Sequence, residues 1–149
     1  MKLAKGPRPW TIWAFAAAFI GAALYSYLSN LSQLGAMQTV YELQFPWSGW
    51  NRDWTIVALS AVFSIAFIPV AWICLFASGT ARWIVTVFSA IQLLDLPHMI
   101  SVYIDNRPYV SAAYFLEHSL IIIALICLFL PASRDWLNQR RGVDHETFV

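Results

Sequence analysis

Four continuous apolar runs, residues 10–28, 54–77, 83–104 and 111–130, constrain this chain more than any other feature. A helix rises 1.5 Å per residue, so runs of about 20 residues match the ~30 Å hydrocarbon core of a bilayer. Membrane barrel strands would be shorter and would alternate apolar with polar residues, which these runs do not. The remaining residues cannot support a soluble alternative: only 11% are charged and 60% are hydrophobic, against roughly 25% charged in ordinary soluble domains. The sequence therefore predicts an all-α integral membrane four-helix bundle, a single membrane domain over 1–149.

The basic residues orient it. With four spans, Lys2, Lys5, Arg8, Arg82, Arg134, Arg140 and Arg141 fall on one side and only Arg52 and Arg107 on the other. The positive-inside rule then places both termini in the cytoplasm, as for a bacterial inner-membrane protein. The first run follows a basic segment, as a secretory signal would, but its apolar stretch is long and lacks a convincing cleavage site, so a retained anchor is expected. Trp10, Trp83 and Trp136 fall near the inner surface, and Tyr25, Tyr27, Trp50, Trp54, Tyr103 and Tyr109 near the outer one, where amphipathic rings concentrate.

Short turns at Ser78-Gly79-Thr80 and Asp105-Asn106-Arg107-Pro108 make spans two to four antiparallel neighbours. The outer connection, residues 29–53, places Leu34, Met37, Tyr41 and Phe45 at helical spacing, which predicts an interfacial helix followed by the aromatic turn Phe45-Pro46-Trp47-Ser48-Gly49-Trp50. Asn30-Leu31-Ser32 matches the glycosylation sequon but abuts the membrane. Residues 132–149 read as a polar, frayed cytoplasmic tail, with Trp136 and Leu137 resting on the membrane surface. In the first span Ala14, Ala18 and Ala22, with Ala17 and Gly21, form small-residue rows that let a neighbouring helix approach closely. Pro69 predicts a kink near Trp72 and Cys74.

Of the charged residues only Asp95 and Glu117 lie well inside the runs, accompanied by His98 and His118. A charge at mid-membrane costs about 2.5 to 3.5 kcal/mol on insertion scales, so these residues demand partners. His98 lies nine residues before Arg107, Glu117 ten after and His118 eleven after, which puts all three at similar depth, with Asp95 one turn deeper. Gln92, Asp95 and His98 share an arc of about 120° on one helix, and Pro97 should kink that helix beside the acid. Tyr114 is spaced to meet Glu117 or His118. Glu117 and His118 point about 100° apart and cannot both aim at one atom without distortion.

The expected cluster is thus Gln92, Asp95, His98, Tyr114, Glu117 and His118. Its readings are interhelical glue, a proton relay, or a divalent metal held by Asp95, His98 and His118. A haem between His98 and His118 is disfavoured, because helices joined by so short a turn pack about 8 to 10 Å apart. Cys74 and Cys127 sit in apolar runs without a CxxC pattern and read as small buried hydrophobes. A net charge of +1 gives no basic surface for nucleic acid. Without a nucleotide loop or nucleophile–base pair, the expected role is non-enzymatic: an accessory or assembly subunit in contact with lipid and with a membrane-protein partner or another copy of the chain. A proton-coupled transporter or a membrane metalloenzyme is the alternative.

The topology is checked by fusing green fluorescent protein and alkaline phosphatase separately to each terminus in a bacterial host. Fluorescence without phosphatase activity at both ends is expected.

Overall fold

A computed structural model of the protein describes residues 6–105 and 112–138, apart from the side chains at 112 and 113, and these residues form helices without strands. In chain order the helices are α1 (Trp10–Ser32), α2 (Leu34–Gln44), α3 (Arg52–Ile65), α4 (Phe67–Phe76), α5 (Gly79–Leu93), α6 (Leu96–Asp105), α7 (Ala112–Phe129) and α8 (Pro131–Asn138). Among the described residues three segments are long and apolar enough to cross a membrane: Trp10–Ser32, Arg52–Phe76 and Gly79–Asp105. A fourth exists if Tyr114–Phe129 and Pro131–Asn138, bent by 58°, count as one span. The turn residues Asn106, Arg107 and Pro108, together with Tyr109, Lys2, Lys5, Arg140 and Arg141, lie outside the described residues.

Proline chemistry explains why two spans are each built from two helices. Proline lacks an N–H and its ring clashes with the carbonyl four residues earlier. Pro97 therefore acts on Leu93, where α5 ends, and Leu94 and Asp95 form a turn before α6. The same rule corrects the expectation for Pro69. The break falls not near Trp72 and Cys74 but a turn before the proline, at Ala66, because the clash is with Ile65, the last residue of α3.

The dominant packing is α1 against α7. The two run antiparallel: Gly21 meets Leu120, and Thr11 at the start of α1 meets Ser133 just past the end of α7. Ala18 and Ala22 of α1 and Ala124 of α7 are buried, whereas Ala17 is exposed, so Ala18 and Ala22 of one small-residue row and Gly21 of the other are at the contact. Lipid is as apolar as leucine, so helices in a bilayer associate through close packing and hydrogen bonds rather than the hydrophobic effect.

The core gathers at the end of the molecule that holds the start of α1. There Ile12 and Phe15 pack with Val70 and Ile73 of α4, Ala81 and Val85 of α5, and Cys127 and Leu128 of α7. The α4–α5 turn is tight: Ala77 adopts a left-handed conformation (φ 47°), and the Ser78 hydroxyl accepts from the Ala81 amide at 3.2 Å. Arg8 donates from Nε to the Cys74 carbonyl at 2.7 Å, placing a cation at the C-terminal end of α4.

The tail reading is corrected by α8. Trp136 and Leu137 are 2% and 5% exposed and belong to the core. The Ser133 hydroxyl lies 2.7 Å from Thr11 Oγ1 and 2.6 Å from the Cys127 carbonyl, tying α8 to both α1 and α7. Pro131 begins this helix, where its missing donor costs nothing. Residues 139–149 lie outside the described residues.

At the opposite end α1 runs four residues past the expected span end at 28, and α2 follows after a break at Gln33. Leu34, Met37 and Tyr41 are half-buried along one side of α2, as their spacing predicts, whereas Phe45 is exposed. Trp50 stacks near Tyr41 and Phe45 at 4.9 and 5.8 Å and donates to Thr55 Oγ1 at 2.9 Å, so the aromatic turn is fastened to the start of α3. Asn51 caps α3 by accepting from the Trp54 amide.

Packing at the α1–α7 contact makes a contrast testable. Ala124→Leu overfills a buried position and should cost about 1 to 3 kcal/mol. Gly21→Ala adds a methyl that meets only Leu120 Cδ1 at 3.9 Å and should be neutral or stabilising by up to about 1 kcal/mol. Unfolding in mixed detergent micelles measures both.

Candidate functional site

The six polar residues expected to cluster do not share one environment. His118 alone is buried, at 7% exposure; Glu117 and Tyr114 are half-buried, and Gln92, Asp95 and His98 are exposed. The shared arc on the third span is broken where Pro97 interrupts the helix. Gln92, before the break, lines a cavity with Glu117, while Asp95 and His98, at and beyond it, are not among its lining residues.

Packing explains the exposure. The first half of this span is anchored through Ala81, Val85 and Ser89, all buried. No residue of α6 is buried. Tyr103 meets Phe115 edge-on at 5.2 Å, so α6 touches α7 near the turn without covering its own mid-span residues.

His118 is satisfied locally. Its Nδ1 lies 2.9 Å from the carbonyl of Tyr114, one turn earlier, and its ring lies 4.1 Å from the Tyr114 ring. The expected interhelical bond from an acid to a histidine is not formed among the described residues. Among the described residues no group of three His, Cys, Asp or Glu side chains is placed to hold a metal ion, and Asp95, His98 and His118 do not form one.

The cavity is the feature that sequence reasoning missed. It lies between α1, α3 and α4, α5 and α7, with a volume of about 480 Å³. Its walls include Phe19, Phe63, Trp72 and Phe88, and among the described residues Glu117 is the one charged residue that lines it. Polar residues Ser26, Tyr27, Asn30 and Gln92 complete it; Tyr27 shares a hydrogen bond with Ser60 at 3.1 Å and stacks on Phe63 at 5.1 Å. The sequence did hold a signal, because Ser26 and Asn30 recur at four-residue spacing on the last turns of α1.

Comparison of the chain with protein-family models, curated proteins and solved structures gave no match.

A structural role for His118 makes two substitutions differ. His118→Phe keeps a ring against Tyr114 and gives up one hydrogen bond, so it should cost about 1 kcal/mol. His118→Ala also opens a cavity and should cost about 2 to 4 kcal/mol. Thermal unfolding in detergent ranks the two.

Proposed function

We propose that this chain is a small non-enzymatic membrane subunit that works by associating with another membrane protein through its third span. The reading includes four spans, both termini in the cytoplasm and a location in a bacterial inner membrane. The basic-residue bias supports that orientation, with Arg8, Arg82 and Arg134 near the end that holds the start of α1 and Arg52 near the other.

One observation carries the proposal: Asp95 and His98 are left uncovered in the middle of an apolar span. Asp95 lies ten residues from the Asp105 end of the Gly79–Asp105 segment, about 15 Å at 1.5 Å per residue. Only 11% of that segment's most apolar stretch is buried. An uncovered carboxylate at this depth costs about 2.5 to 3.5 kcal/mol in lipid, and a partner helix offering a donor would offset that cost. Ile91, Leu94 and Ile104, all strongly exposed, supply apolar contact beside the two polar groups.

A second reading, a proton-coupled small transporter, is favoured by the position of Glu117. A half-buried carboxylate lining a cavity between spans is the arrangement a proton-coupled carrier would use.

A photo-crosslinking amino acid placed at Ile91, Leu94 or His98 in native membranes tests the association. Discrete adducts at these positions, absent from the buried control at Ala124 and lost with Asp95→Leu, are expected. Equal labelling of lipid alone at all three positions overturns the proposal.

A further inference from the structure

We propose that the cavity between α1, α3 and α4, α5 and α7 binds a small lipophilic cation. Size, walls and charge point to the same class of ligand. At about 480 Å³ the space lies within the roughly 300 to 1,000 Å³ of small-molecule sites. An apolar body is required, because most of the lining is aliphatic or aromatic. A positive charge is required because Glu117 is the one ionisable acid in the lining and no Lys, Arg or His accompanies it.

Glu117 makes no hydrogen bond or ion pair with any described residue. A carboxylate in a low-dielectric site is stabilised by an opposite charge close by, and none of the described residues supplies one. The aromatic side chains add to the preference, since Trp and Phe ring faces attract cations through their quadrupole. Trp72, Phe19, Phe63 and Phe88 all border the space. Pro69 contributes too: without an N–H it leaves the Ile65 carbonyl lacking its helical donor, and both residues line the cavity. An anion would meet a carboxylate and aromatic faces with no cation to receive it. A lipid acyl chain would fill the apolar volume but leave Glu117 uncompensated.

This inference does not depend on the third span meeting a partner, because the residues involved are Glu117 and the cavity walls rather than Asp95 and His98. Its test uses two probes of nearly identical size and shape and opposite charge, tetraphenylphosphonium and tetraphenylborate. Equilibrium binding is measured with the full chain in nanodiscs of neutral lipid, with empty nanodiscs subtracted. Saturable one-to-one binding of the phosphonium, at least tenfold tighter than the borate, is expected. The chain's net charge of +1 would by itself favour the borate, so the preference reports the site. Glu117→Gln should weaken phosphonium binding at least tenfold and Glu117→Asp by only a few-fold. Equal binding of both probes, or no saturable binding of either, overturns the proposal on the wild-type protein alone. Phosphonium binding unchanged in a folded Glu117→Gln protein overturns it as well.

Discussion

Close contact between α1 and α7 is the interaction on which the rest of the arrangement depends. It joins the first span to the last long helix described, and it does so through alanines and a glycine rather than large side chains, because helices in lipid gain from close approach rather than from withdrawal from water. Ala18, Ala22 and Ala124 are buried there, and Ser133 adds hydrogen bonds that hold α8 across the end of the pair. The chain is closed at that end, where Phe15, Ile73, Leu128 and Trp136 meet.

The middle spans are held differently. The Arg52–Phe76 and Gly79–Asp105 segments join the core through α4 and the beginning of α5 and are otherwise little covered, with 17% and 11% of their apolar stretches buried. Proline breaks at Ala66 and at Leu94 and Asp95 interrupt both. One polar set, Gln92 and Glu117, is turned to a cavity, and the other, Asp95 and His98, is left uncovered. These are two different chemical situations, and they carry two different proposals: a ligand for the first and a partner helix for the second.

Much of the helical framework was legible in the residues. Continuous apolar runs gave the spanning segments, the spacing of Leu34, Met37 and Tyr41 gave α2, and Pro97 gave the interruption beside Asp95. What was not legible depends on long-range packing. Equal depth along two helices says nothing about rotation, so Glu117 and His118 could be placed level with His98 without their environments being known. His118 turned to its own helix because a carbonyl one turn earlier was within reach. The buried face of α8 was overlooked because its surroundings are polar in composition, although Ser133, Trp136 and Leu137 have the spacing of one helical face. The cavity draws on four separate parts of the chain, and its one local trace is the four-residue spacing of Ser26 and Asn30.

The central claim is that the third span leaves its polar residues outside the protein's own core. Spin labels at positions 98 and 118, in a protein with Cys74 and Cys127 replaced by alanine and reconstituted alone in bilayers, test it through collision with dissolved oxygen. The account predicts a label at 98 freely accessible from the lipid and one at 118 strongly shielded. Equal shielding at both positions would mean that the two histidines are buried together, and would contradict it.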